Sequence, residues 1–112
     1  MTLQDAIDQL QLKVLTQPVD FSKVEPTSGY TSDLLSCAMA GAKKGAVWIT
    51  LQAHLNVVAV AALLEMSAII ITEEAQADPA TIAKANEEGI ILLATDKLTF
   101  EVVGRLWDLG LR

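Results

Sequence analysis

The chain reads as a three-layer α/β/α domain around a mainly parallel sheet of about four strands. Three observations carry this reading. Short apolar runs at 46–50, 68–72 and 90–94 alternate with stretches of ten or so residues at helical spacing, which is the pattern of βαβ units. The runs Ala-Ile-Ile-Ile-Thr and Ile-Ile-Leu-Leu-Ala have almost no polar position, so both faces of those strands are covered, as in a parallel sheet. Asp78-Pro79 and Gly89 bracket one of the intervening segments, and an Asp N-cap, a Pro at the first helical position and a Gly just past the end are helix punctuation.

In chain order, Thr2 caps a first helix, with Asp5 three residues on as a capping box and Leu3, Ile7 and Leu10 as its apolar stripe. Residues 12–16 form a short strand that Gln17-Pro18 ends. Residues 19–29 hold a short extended piece near 21–24 and then a turn at 26–29. Thr31 or Ser32 opens a second helix, with Leu34, Leu35, Ala38 and Met39 facing inward and Gly41 or Gly45 as its stop. A strand at 46–50 leads through a polar turn into a helix over 54–66, and a strand at 68–72 follows. After the helix between Asp78 and Gly89 comes a strand at 90–94, and Asp96 caps a last helix that runs to Leu109 and stops at Gly110.

A chain of 112 residues is one domain, 1–112, large enough to bury a core without disulfides or metals. A hydrophobic fraction of 52% and a charged fraction of 20% argue against disorder. The net charge of −6 makes nucleic acid and anionic membranes poor partners, since neutralising phosphates needs clustered Lys and Arg. Only Lys43-Lys44 are adjacent basic residues, and they fit a helix C-terminus. The N-terminus lacks the apolar core of a signal peptide, and the longest apolar run, 57–64, is too short to span a bilayer. Cys37 is the only cysteine. It sits in an apolar helical pattern and is expected to be a buried, reduced thiol in a cytoplasmic protein.

No G-x-G-x-x-G, Walker-type phosphate loop or G-x-S-x-G elbow is present, and one His with one Cys cannot build the usual zinc site. The residues therefore name no cofactor. What remains is a set of polar side chains at strand ends, where crossover topology leaves a crevice. Thr50, Gln52, His54, Asn56 and Thr72 are the expected ligand-binding residues. His54 can serve a turn, contact a ligand or act as a base; Gln52 and Asn56 divide between turn chemistry and ligand contact. Glu73-Glu74 form the rim, as solvated carboxylates or as oxygen ligands for Mg²⁺. They disfavour a strongly anionic ligand unless a metal bridges it, so a nucleotide fits only in metal-bound form. Trp48 and Trp107 lie in apolar patterns and are expected in the core or an interface.

The helix over 54–66 is apolar on two sides. Leu55, Ala59, Ala62, Leu63 and Met66 form one face, and Val57, Val60, Ala61 and Leu64 form the other. One face covers the sheet; the other calls for a second cover. A homodimer through Val57, Val60, Ala61 and Leu64 is the expectation, with coverage inside one chain as the alternative.

The run Gly29-Tyr30-Thr31-Ser32-Asp33-Leu34-Leu35-Ser36, followed by Trp48-Ile49-Thr50-Leu51-Gln52-Ala53-His54-Leu55-Asn56-Val57-Val58-Ala59-Val60-Ala61, resembles the DRTGG domain family over about residue 29 to the end. The likeness is closest to short free-standing members that accompany redox and signalling proteins in anaerobic bacteria. DRTGG domains also serve as accessory modules in CBS-domain pyrophosphatases and long phosphotransacetylases, and their fold resembles the N-terminal domain of HPr kinase. The name-giving motif is altered here. Gln52-Ala53 stands in place of Asp-Arg, and Thr72-Glu73-Glu74 in place of Thr-Gly-Gly. The resemblance implies a non-catalytic regulatory module that binds a small ligand or a protein partner, accessory to a redox or signalling system. The alternatives are a structural subunit of a hydrogenase-like redox complex and a small metal-assisted enzyme with His54 as base.

Overall fold

The computed structural model describes all residues, 1–112. Ten regular elements follow one another: α1 (Leu3–Leu10), β1 (Lys13–Val14), β2 (Ser28–Thr31), α2 (Leu35–Gly41), β3 (Ala46–Thr50), α3 (Leu55–Leu63), β4 (Ala68–Ile71), α4 (Pro79–Glu88), β5 (Ile91–Ala94) and α5 (Thr99–Asp108), with a 3₁₀ turn at Phe21–Lys23. The sheet has five strands in the order β1-β5-β4-β3-β2. β2 to β5 are parallel to their neighbours, and β1 runs antiparallel to β5, Lys13 opposite Ala94. The fold is thus three-layer α/β/α with one mixed sheet, and no helix is long and apolar enough to cross a membrane.

From β2 to β5 the strand order never reverses. Right-handed crossovers along such an order place every connecting helix on the same face. The packing shows this: Ala38 of α2, Val57, Val58, Val60 and Ala61 of α3 and Ala85 of α4 share one core with Trp48, Ile69, Ile71 and Leu92. On the opposite face, Leu3, Ala6 and Leu10 of α1 and Val102 and Leu106 of α5 pack on Val47, Ile49, Ala68, Ile70 and Leu93. Alternate residues of each central strand serve alternate faces, which is why β3 and β4 are buried throughout.

This topology corrects the expected dimer contact. α3 is the middle helix of three, with α2 on one side and α4 on the other. Val57, Val60 and Ala61 are buried against these neighbours and the sheet, and Leu64 is half-buried in the same cluster. The face expected to dimerise is covered within one chain, whereas of the other expected face only Met66 is buried and Ala62 half-buried. The side that looks outward carries Leu55, Ala59 and Leu63.

Other details shift as well. β2 falls where a turn was expected. α2 begins at Leu35 with Leu34 as an N-cap that makes no side-chain bond, and it buries only Ala38. Leu34, Met39 and Cys37 are exposed, so the thiol is accessible and not in the core. α5 starts at Thr99, three residues after Asp96, and Trp107 is exposed. Lys43-Lys44 lie beyond the helix end, where Lys44 pairs with Glu65 at 3.2 Å. The capping box of Thr2 and Asp5 forms as expected, as does the Asp78 cap of α4, closed by Gly89 in the left-handed conformation.

Candidate functional site

The five polar residues expected at the strand ends do not converge on one cavity. Thr50 is fully buried; its hydroxyl donates to Asp33 Oδ1 at 2.8 Å and accepts from the Gln52 amide at 3.0 Å. Asp33, from the loop after β2, also accepts from the Leu51 amide, so this carboxylate closes the turn after β3. Thr72 is fully buried too, its hydroxyl 2.6 Å from that of Thr99. Both hydroxyls are engaged inside the protein, Thr50 in part by the local turn bond common at strand ends. Gln52 is half-buried, and His54 and Asn56 are exposed at the start of α3. His54 is the N-cap by backbone alone; its side chain caps nothing, and no acid lies in the first turn. Its charge adds a minor pull on Asp78. That carboxyl is held below its usual 3.8 chiefly by the Thr81 amide and then by the Thr81 hydroxyl. No group of three or more His, Cys, Asp or Glu side chains is placed to hold a metal ion.

The reason lies in the topology. A crevice opens in an open α/β sheet where successive connections leave to opposite faces. The connections after β3 and β4 both lead to the same face. Between β4 and β5 this changes, because the loop after β4 leads to α4 on one face and the loop after β5 leads to α5 on the other.

Here the two loops are laced together. The amide of Glu73 donates to Lys97 O at 2.9 Å and that of Glu74 to Thr95 O at 3.1 Å. To make this turn, Glu73 and Glu74 take φ values of 59° and 61°. That is the left-handed region which glycine enters freely and other residues enter at a cost. The two glutamates stand where the resembled motif has two glycines, and the backbone keeps the glycine conformation. Glu73 has a second task. Its Oε2 accepts from the Thr99 hydroxyl at 2.8 Å and the Thr99 amide at 3.4 Å, capping α5, whose own N-cap Leu98 has no polar side chain. The Glu74 carboxylate makes no ion pair.

Different outcomes are expected at the two positions. Glu74→Gly should stabilise the fold by roughly 0.5–1 kcal/mol, the relief of the left-handed backbone net of glycine's extra freedom when unfolded. Glu73→Gly gains the same relief but loses the cap of α5. It should be neutral or destabilising. Urea unfolding of both variants checks this; equal stabilisation by both would show that the Glu73 cap carries no weight.

Beside this lacing lies a polar crevice of about 250 Å³. Its walls are Glu74, Ala75 and Gln76 after β4, Ala94, Thr95 and Asp96 after β5, and Gln11 and Lys13 from the α1–β1 junction. Gln11 ends α1 in the left-handed conformation, φ 54°. Two of the four non-glycine residues with positive φ therefore line this one crevice, and such strain concentrates at functional sites. Lys13 makes no ion pair with either Glu74 or Asp96. The crevice thus offers one ammonium, two side-chain amides, a hydroxyl and two carboxylates. That set suits a small ligand carrying both an anionic group and hydrogen-bond donors, or an anion neutralised by a cation. Sequence reasoning missed Gln11, Lys13, Gln76 and Asp96. Lys13 and Gln11 reach the site only because β1 runs back along β5, a pairing without a local signal.

No family model matches the chain, and no curated protein does. Among solved structures, the CBS and DRTGG domains of the regulatory region of a Clostridium perfringens pyrophosphatase, complexed with the activator diadenosine tetraphosphate, superpose with a TM-score of 0.76. The match covers 92% of this chain at 15% identity. The chain spans less than half of that one, 44% of its length. This chain has a DRTGG-like fold.

Proposed function

We propose that the chain is a non-catalytic regulatory module that takes a small ligand in the crevice at the carboxyl ends of β4 and β5. The observation that carries this reading is the coincidence of a polar crevice with the one change of face in the topology. The DRTGG-like neighbour is part of a regulatory region complexed with a nucleotide activator, which supports a regulatory role and makes adenine nucleotides the first ligands to test. The crevice carries one cation against two carboxylates, so a phosphate chain enters with Mg²⁺ and not without it. The setting that fits the resemblance is a cytoplasmic redox or signalling system. Affinity purification with mass spectrometry of co-purifying proteins and small molecules tests that setting.

A second reading keeps the ligand at Gln52, His54 and Asn56. It is favoured by the open N-terminus of α3, where the first-turn amides have no side-chain cap. The enzyme reading with His54 as base has weaker support, because His54 is exposed and the nearby Asp78 carboxylate is committed to Thr81.

Titration of ¹⁵N-labelled protein with AMP and ATP, with and without Mg²⁺, separates these readings. Shifts centred on Gln11, Lys13, Gln76 and Thr95 support the crevice. Shifts centred on Gln52, His54 and Asn56 move the site to α3. No shift with any of the four additions removes adenine nucleotides. For a ligand held in the crevice, Lys13→Ala should weaken binding about tenfold or more, the loss of one charge-assisted contact worth roughly 1.5 kcal/mol or above.

A further inference from the structure

We propose that the open edge of β2 is the contact between two copies of this chain, paired antiparallel about a two-fold axis normal to the sheet. This goes beyond the ligand reading and does not depend on it. Three observations meet at that edge. First, β2 pairs with β3 on one side and with nothing on the other. Proteins blunt exposed edges with short strands, Lys, Pro or bulges. The opposite edge of this sheet is blunted, since β1 is two residues long and carries Lys13. β2, Ser28-Gly29-Tyr30-Thr31, is twice as long as β1 and carries no Lys or Pro.

Second, both helical layers are unfinished beside it. On the α5 face, a groove of about 140 Å³ runs between β2 and α5, its lining including Gly29, Ile49, Val103, Trp107, Leu111 and the charged Arg112. Phe100 and Trp107, spaced with Val103 along one side of α5, are 90% and 55% exposed. On the other face, α2 lies over β2, where Tyr30 Oη donates to Cys37 O at 2.9 Å, and leaves Met39 52% exposed. A four-residue strand alone buries too little for a stable dimer, which needs about 800 Å² per partner. Two aromatic side chains of roughly 150–250 Å² each, with Leu34 and Met39, bring the contact toward that size.

Third, the charge distribution selects a second copy over another partner. The chain carries −6, so self-association through most of its surface meets like-charge repulsion. Residues 26–42 hold a single charged side chain, Asp33, and its carboxylate is engaged by Thr50 and Leu51. The α5 side of the contact adds Glu101 and Asp108 against Arg105 and Arg112, with Arg105 paired to Glu101 at 3.5 Å and Arg112 5.2 Å over the Trp107 ring, so these charges balance and the edge escapes most of that repulsion. A two-fold axis at the edge sets α5 beside its copy and α2 beside its copy, completing both layers and extending the sheet to twice its width.

Sedimentation equilibrium and light scattering test the proposal at roughly 100 micromolar. The expected mass is twice the 12.0 kDa of the chain. Phe100→Glu and Trp107→Glu, both at exposed positions, should give monomers with unchanged circular dichroism. Leu63→Glu, at a 68% exposed site on the outer side of α3, should stay dimeric. In wild type, hydrogen exchange at 28–31 should slow as concentration rises. A monomeric wild type overturns the proposal, as does a dimer that survives both α5 substitutions or is broken by Leu63→Glu.

Discussion

Trp48→Ala is expected to remove a large share of the stability of this fold. The indole is fully buried among α2, α3 and the sheet, and its Nε1–H donates to Ser32 O at 2.9 Å. Truncating a buried aromatic residue to alanine costs about 3–5 kcal/mol through lost transfer energy and the cavity left behind. A domain of this size has about 5–15 kcal/mol in all. The hydrogen bond adds to the effect because it ties the chain leaving β2 to the middle of β3. Urea unfolding followed by far-ultraviolet circular dichroism measures the loss, and Trp48→Phe should recover most of it. A cost under about 1 kcal/mol would mean that the site collapses around the missing ring and that this side of the core is loosely packed.

Gly45→Ala is expected to be the costliest single-methyl change in the chain. Gly45 sits at φ +81°, and a Cβ there would lie 2.8 Å from Thr27 Oγ1 and 2.9 Å from its Cγ2. Neither partner can step aside. The Gly45 amide donates to Glu65 O at 2.9 Å, its carbonyl accepts from the Thr27 amide at 3.0 Å and the Ser67 hydroxyl at 2.7 Å, and Thr27 Oγ1 donates to Lys44 O at 2.8 Å. The left-handed backbone costs a residue with a side chain about 1–2 kcal/mol, and forced overpacking costs roughly 1–3 kcal/mol more. Thermal unfolding should show a loss of about 2–5 kcal/mol. A double-mutant cycle with Thr27→Ala divides it, restoring the steric part and leaving the backbone part. Full rescue by Thr27→Ala would show that the backbone tolerates the methyl and that contact alone is at fault.

The legible parts of the fold were those written in local pattern. β3, β4 and β5 appear within a residue of their expected positions because Ala46–Thr50, Ala68–Ile71 and Ile91–Ala94 are apolar throughout. α1 and α4 were readable from Thr2, Asp5, Asp78 and Gly89, whose bonds are made within one turn. β2 escaped notice because Ser28, Gly29 and Thr31 have no strand-like apolar alternation; the cover over Gly29 comes from Leu111, far along the chain. α2 misled because Leu34 and Met39 look like an inward stripe, yet both are exposed. The dimer stripe on α3 was a correct reading of an all-round apolar helix and a wrong reading of its cause. Strand order decides that α3 lies between two helices of its own chain, and strand order is not a local property. Strand order also decides which strand ends lie open, and it buries Thr50 and Thr72 while Gln52 stays half-buried and His54 and Asn56 exposed. Thr50 and Thr72 do mark strand ends, but the change of face that opens a crevice falls one strand further on.

The pairing of β1 with β5 joins residue 13 to residue 94 across the whole parallel unit. During synthesis α1 can meet only the Phe21–Lys23 turn at once, where the Leu3 amide donates to Val24 O at 2.8 Å, while β1 has no strand partner until β5 is made. The α1 side chains that cover one face of the sheet, Leu3, Ala6 and Leu10, must wait with it. Residues 27–94 meanwhile assemble each parallel pair from consecutive segments, with the Ile-Leu-Leu-Ala edge of β5 bare. Closing that edge joins segments near opposite ends of the domain, and loops that long close slowly. The segment α1–β1 therefore acts as a clasp fastened only once β5 is made, and a chain lacking it presents an apolar strand edge suited to aggregation.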